Sequence, residues 1–154
     1  MDRSGWYVAV VGSSDCDEEV ARLAYRVGYE LARRQATLIC GGKGGVMAAA
    51  ARGARDGGGR AVGILPGTNR TEANEYLDIA IATGLGDARN AVIACAADAV
   101  IAVGGGFGTL SEVALALKKD KPVIGLSFSF PEVPGLIHAK TPAEAVELAM
   151  KNSL

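Results

Sequence analysis

The stretch Ala99-Val100-Ile101-Ala102-Val103-Gly104-Gly105-Gly106-Phe107-Gly108-Thr109-Leu110-Ser111-Glu112 decides the fold. Five apolar residues run into a glycine turn, and Val113 to Lys119 follows with the composition of a helix. This reads as strand, glycine turn, helix. Glycines at such a junction let the backbone approach a ligand, and the helix that starts there offers unpaired N–H groups and the positive end of its dipole. An anion, most often a phosphate, is the natural guest. Gly104, Gly105, Gly106, Gly108 and Thr109 are therefore read as a phosphate cradle, and Thr109 and Glu112 are expected within the first helical turn.

Working outward, the same unit recurs. Trp6 to Val11 is a strand followed by Gly12-Ser13-Ser14-Asp15, and Glu18 to Arg34 carries apolar residues at helical spacing. Ala36 to Cys40 is a second strand, Gly41-Gly42-Lys43-Gly44-Gly45 a second glycine turn, and Val46 to Arg55 a second, alanine-rich helix. Further strands are expected at Arg60 to Leu65, Tyr76 to Ala82, Pro122 to Leu126 and, as a short last one, Leu136 to His138, with a helix over Ala88 to Ala97. The polar stretch Thr68 to Glu75 connects two of these strands. Thr141-Pro142-Ala143-Glu144 opens the C-terminal helix with an N-cap hydroxyl, a proline at the first position and a glutamate three residues after the cap.

Short apolar strands alternating with amphipathic helices imply a mainly parallel sheet of six or seven strands covered on both faces. The expected fold is α/β, a single doubly wound Rossmann-like domain over residues 1–154. Right-handed crossovers put every strand's C-terminal end on one edge, where ligands of such folds bind. Gly12 with Ser13 and Ser14, the turn of Gly41, Gly42, Lys43 and Gly44 leading to Met47, and the cradle at Gly104 to Thr109 all fall on that edge.

Composition narrows the class of function. The 154 residues are 49% hydrophobic and 21% charged, with 16 basic against 17 acidic side chains and a net charge of -1, so a sizeable core is expected and the basic footprint of a nucleic-acid binder is absent. No apolar run approaches the ~18 residues needed to span a bilayer, and the N-terminus lacks the pattern of a secretory signal. The expectation is a cytoplasmic protein with a phosphorylated small molecule as partner, no nucleic acid and no membrane. Cys16, Cys40 and Cys95 are odd in number and irregular in spacing, which argues against a disulfide framework or a zinc site. Cys40 and Cys95 are read as small core residues, and no metal ligands are assigned.

Two familiar phosphate motifs fail on spacing. The dinucleotide fingerprint needs G-x-G-x-x-G after the first strand and an acidic residue closing the second, where this chain has Gly12-Ser13-Ser14-Asp15 and Cys40-Gly41. A Walker loop needs Gly-Lys-Ser or Gly-Lys-Thr, which the chain lacks.

The motif Gly105-Gly106-Phe107-Gly108-Thr109-Leu110-Ser111-Glu112, with the upstream Gly-Gly turn ending in Met47 and the arginine at Arg89, resembles the LOG-type, lysine-decarboxylase-like Rossmann superfamily over nearly the whole chain. The decarboxylase label is disregarded, since the chain is far shorter than such enzymes and shows no evident pyridoxal site. Members of the superfamily include phosphoribohydrolases that cleave the N-glycosidic bond of nucleoside monophosphates. That resemblance implies Arg89 and Glu112 as catalytic and the glycine turn with Thr109 as the phosphate holder. A carboxylate there would stabilise the positive charge that builds on the ribose and orient a water.

The chain departs from the hydrolase pattern at Val103-Gly104, where those enzymes usually have proline, and at Asn90, where they have lysine. Gly84-Leu85-Gly86-Asp87-Ala88-Arg89-Asn90 instead resembles the branch of molybdenum-cofactor carrier proteins. This branch implies a binding protein that holds molybdenum cofactor and assembles as a homodimer or homotetramer; no cofactor is read as required, and a nucleoside monophosphate is the alternative bound ligand. A nucleotide-sensing module is the third reading.

Several residues keep two readings at this level. Lys43 either contacts an anion or keeps a loop soluble. Glu112 is either catalytic or a helix-start carboxylate, and Arg89 either meets the ligand or pairs with Asp87. Ser13, Ser14 and Asp15 either cap the first helix or touch the ligand, and His138 is read as structural.

Overall fold

Seven of the apolar runs pair as strands, because each is short, rich in β-branched residues and closed by glycine or polar punctuation. The computed structural model describes residues 5–152. The strands are β1 (Tyr7–Val11), β2 (Thr37–Cys40), β3 (Arg60–Leu65), β4 (Ile79–Ala82), β5 (Ala99–Val103), β6 (Val123–Leu126) and β7 (Ile137–Ala139). All pair in parallel, in the order β4-β3-β2-β1-β5-β6-β7. The winding reverses at β1, which lies between β2 and β5. That switch point fixes where a ligand crevice opens.

Helices α1 (Glu18–Arg33), α2 (Val46–Asp56) and α5 (Pro142–Asn152) cover one face of the sheet, and α3 (Arg89–Ala96) and α4 (Phe107–Lys118) the other. Alternation along β5 serves both layers: Ala99, Ile101 and Val103 join the first core, Val100 and Ala102 the second. The first layer depends on close helix contact. A Cβ placed on Gly28 of α1 would run into the Ala50 carbonyl oxygen of α2, and one on Gly53 into the Tyr25 carbonyl oxygen. The α2 surface with its alanines is thus covered by α1 of the same chain.

The structure corrects several boundaries. Tyr76 and Leu77 are not in β4, which starts at Ile79. Asn74 bends the chain there by accepting from the Tyr76 N–H at 3.0 Å, and Asp78 takes the first ladder position with its carboxylate, accepting from the Ala61 N–H at 2.8 Å. The stretch Thr68 to Glu75 contains a 3-10 turn over Arg70–Glu72. Another 3-10 turn, Gly86–Ala88, precedes α3.

Helix α4 already begins at Phe107, so Glu112 lies in its second turn and not in the first. Trp6 and Pro122 lie just outside their strands, and β7 runs one residue later than read. Cys95 is exposed on α3 and not in the core; Cys40 is buried, and burial pushes its thiol up to about 12. The C-terminal helix starts as read, with the Glu144 N–H donating to Thr141 Oγ1 at 3.1 Å. Among the described residues no helix is long and apolar enough to cross a membrane.

Candidate functional site

At the switch point the turns after β1, β2 and β5 and the start of α3 enclose a cleft of about 490 Å³. Its walls bring together Gly12, Ser13 and Ser14 from the first turn, Lys43 and Met47 from the second, Arg89 and Asn90 from α3, and Gly106, Gly108, Thr109 and Glu112 from the third. Gly41, Gly42, Gly44, Gly104 and Gly105 do not line it. These five act behind the wall.

For Gly41, Gly42, Gly104 and Gly105 the role is steric or conformational. A Cβ on Gly41 would sit 2.6 Å from Arg89 Nη1 and 2.7 Å from the Met47 sulfur. Gly42 (φ +78°) packs against Leu65, and Gly105 (φ +97°) folds onto the Thr109 side chain, its Cβ position 2.7 Å from Thr109 Cβ. Gly104, also left-handed at φ +60°, accepts from the Ser129 N–H at 3.1 Å through its carbonyl. The fold itself favours glycine at Gly41, Gly42, Gly104 and Gly105, whereas Gly44 has no positive φ and a Cβ there would meet only the Ser14 carbonyl oxygen, at 3.3 Å.

Gly106 and Gly108 differ. Neither has a positive φ, and a Cβ on either meets nothing within 4 Å. Packing and backbone geometry therefore explain neither glycine, although both line the cleft. Beside them α4 starts with no side-chain cap and no acidic residue in its first turn. Helices α2 and α3, which also open onto the cleft, have no side-chain cap either. By contrast α1 is capped by Asp17, which accepts from the Val20 N–H at 2.9 Å, and carries Glu18 and Glu19 in its first turn. Ser13, Ser14 and Asp15 do not cap α1. The start of α4 keeps its partial positive charge for something outside the fold, whereas the Val46 N–H that opens α2 donates to the Ser13 carbonyl at 3.0 Å and α3 continues the Gly86–Ala88 turn with its Asp87.

Arg89 is held from three sides. Its Nη1 donates to the Gly41 carbonyl at 2.6 Å and the Ile64 carbonyl at 2.7 Å, and its Nε to Asn90 Oδ1 at 2.9 Å. It thus ties the ends of β2 and β3 to α3 and makes no ion pair with Asp87 among the described residues. Asn90 in turn donates to Ser111 Oγ at 3.1 Å, and that hydroxyl donates to the Gly108 carbonyl at 2.6 Å. Arg89 and the glycine turn are one connected network.

Glu112 is 8% exposed and lines the cleft. Burial pushes its carboxyl up to about 7, with Arg89 pulling the other way. A carboxyl whose charged form is disfavoured by burial, and which opens into a cleft beside an arginine, marks the site as a functional candidate.

Sequence reasoning missed Pro66 and Asp87, which line the cleft, and the part played by Glu72. Glu72 lies far along the chain in a polar connection and reaches Lys43 Nζ at 3.3 Å. Phe107, 82% exposed, projects from the glycine turn against Phe130, whose ring centroid lies 5.8 Å away. Among the described residues no group of three or more His, Cys, Asp or Glu could hold a metal ion.

A crevice at the switch point of a parallel sheet, walled by glycine turns and helix starts without side-chain caps, defines a Rossmann-like domain with a candidate ligand cleft. The chain belongs to the SLOG cluster4 family, whose model matches residues 5–153. It is 46% identical over 147 residues to an uncharacterised protein of Archaeoglobus fulgidus, covering 96% of each. It is also 36% identical over 93 residues to a probable cytokinin riboside 5′-monophosphate phosphoribohydrolase of Oryza sativa subsp. japonica; that match spans 58% of this chain and 41% of the rice protein.

Among solved structures, the molybdenum cofactor binding protein of Rippkaea orientalis superposes with a TM-score of 0.91 at 37% identity, over 97% of this chain and 98% of that one. The molybdenum cofactor carrier protein of Chlamydomonas reinhardtii gives 0.87 at 34%, over 96% and 97%. The family expected from the glycine motif, and the carrier branch within it, are thus shown.

Proposed function

We propose that this protein binds a phosphorylated small molecule in the switch-point cleft and holds it without consuming it, with molybdenum cofactor as the first candidate. The observation that carries this reading is the pair Gly106 and Gly108, which line the cleft yet are required by neither backbone geometry nor packing. A phosphate lying against the N–H groups of Phe107, Gly108 and Thr109 needs that space empty. Glu112, carrying a proton near neutral pH, then donates to an acceptor on the ligand's ring system. Two similar structures whose proteins bind or carry molybdenum cofactor support the choice of ligand.

A second reading, a nucleoside-monophosphate phosphoribohydrolase, is favoured by Arg89 and Glu112 lining one cleft and by the partial likeness to the rice protein. In that reaction Glu112 must be ionised to stabilise the ribosyl cation, the form that its burial disfavours and Arg89 favours. Chromatography of free base after incubation with a panel of nucleoside monophosphates separates the two. The carrier reading predicts no base above the level given by Glu112→Gln. Base release that the substitution abolishes would make the protein a hydrolase.

We further infer a cytoplasmic homodimer. The half-exposed Ile79 and Ile81 on the edge strand β4, with exposed Leu85 beside them, form the apolar surface best suited to a second copy. A light-scattering mass equal to one chain would overturn this.

A further inference from the structure

Lys43 is the cleft residue whose role the phosphate cradle leaves unexplained. Its backbone is fixed: the Lys43 carbonyl accepts from Asn74 Nδ2 at 2.8 Å, and the neighbouring Gly42 carbonyl accepts from the Asn74 N–H at 2.9 Å. Its side chain is not fixed in the same way. It lies against Glu72 Oε2 at 3.3 Å, with the two side chains 36% and 37% exposed. An ion pair this exposed contributes little to stability, so an anion entering the cleft can displace Glu72 at small cost.

Position gives that anion its identity. The Lys43 turn follows β2 and the cradle follows β5, with β1 between them, so the two sites lie two strand spacings apart, roughly 10 Å. A single phosphate in the cradle does not span that distance.

We infer that Lys43 receives a second anionic group of the ligand, and that Glu72 holds the lysine in place until the ligand arrives. This rests on the phosphate reading of the cradle and narrows the ligand to a molecule with two separated anionic centres. A ligand with the phosphate alone would leave the Lys43–Glu72 pair intact. Glu72 is well placed for this exchange: it sits on the Arg70–Glu72 turn of the connection that clamps the Lys43 loop, and its carboxylate packs over Gly67.

The test uses the full chain and three probes, inorganic phosphate, pyrophosphate and tripolyphosphate, titrated calorimetrically at constant ionic strength. Tripolyphosphate, long enough to reach from the cradle toward Lys43, should bind at least about tenfold more tightly than phosphate, the gain expected of one charge-assisted contact. Lys43→Met should abolish that gain and leave phosphate affinity unchanged, whereas Lys119→Met, outside the cleft, should alter neither. Glu72→Gln should strengthen tripolyphosphate binding and leave phosphate binding as it was.

Equal losses for all three probes in Lys43→Met would place Lys43 in the cradle itself and overturn the inference. An undiminished tripolyphosphate gain in that variant would overturn it as well. If phosphate itself fails to bind the unaltered protein, the cradle reading falls, and this inference with it.

Discussion

Gly108→Ala separates what the fold needs from what the ligand needs. Gly108 is the second residue of α4, has no positive φ, and a methyl group there meets nothing within 4 Å. Alanine restricts the unfolded chain and favours the helix, so the ligand-free protein should gain about 0.5 kcal/mol. For a chain of this length that raises Tm by about 1–2 °C. The same methyl group occupies the space where a phosphate oxygen would approach the helix start. Losing one charge-assisted hydrogen bond costs about 1.5–3 kcal/mol, a roughly tenfold to hundredfold loss of affinity.

Thermal unfolding of the ligand-free protein and calorimetry with the phosphorylated ligand read the two effects separately. Gly45→Ala is the contrast, because Gly45 has φ +59° and its Cβ would collide with the Ser13 carbonyl oxygen. That variant should lose several degrees of Tm. A Gly108→Ala protein that melts lower and binds as before would refute the reasoning, since the glycine would then serve the fold.

Glu112→Gln should change the pH dependence of stability. Between its ordinary value of 4.5 and about 7, native Glu112 keeps a proton that the unfolded chain has released, so the native state loses stability as pH rises through that window. The full loss is about 3 kcal/mol at 1.36 kcal/mol per pH unit. Denaturant unfolding should therefore find the glutamine variant more stable than the parent at pH 8 and no more stable at pH 4.5; an advantage independent of pH would contradict this. Arg89→Lys should lower stability by about 1–3 kcal/mol even without ligand, because an ammonium cannot reproduce the fork that joins the Gly41 and Ile64 carbonyls to Asn90. An unchanged unfolding midpoint would assign Arg89 to the ligand alone. Gly53→Ala should cost more than about 2 kcal/mol, since backbone faces backbone at the α1–α2 crossing and neither helix can yield locally. A neutral Gly53→Ala would show that the helices can part.

Much of this architecture is legible in the chain because its signals are local. The run Ala99 to Val103, its glycine turn and the capping pattern at Thr141 each declare themselves within a few residues, and parallel pairing follows from the alternation of strands and helices. Where the reading slipped, side chains had replaced backbone in a local contest. Asn74 and Asp78 take hydrogen-bond positions that the apolar look of Tyr76 and Leu77 assigned to a strand. Cys95 lies on α3 where the sequence has apolar residues on every side, so periodicity could not tell the covered face from the open one.

The cleft gathers most of the expected site residues because the topology forces the turns after β1, β2 and β5 together. What sequence could not separate were two kinds of glycine. Gly41, Gly42 and Gly105 serve packing and backbone geometry, while Gly106 and Gly108 leave open space. Nor could it pair Lys43 with Glu72, 29 residues apart, without knowing that the β3–β4 connection folds back over the second turn.

The central claim, a phosphorylated ligand held in the switch-point cleft, is tested most directly by anaerobic equilibrium dialysis of molybdenum cofactor against the protein and its Gly108→Ala variant, with the pterin quantified by fluorescence after release. The account predicts saturable retention approaching one cofactor per chain by the unaltered protein, weakened at least about tenfold in the variant. Absence of retention by the unaltered protein, or equal retention by both, would contradict it.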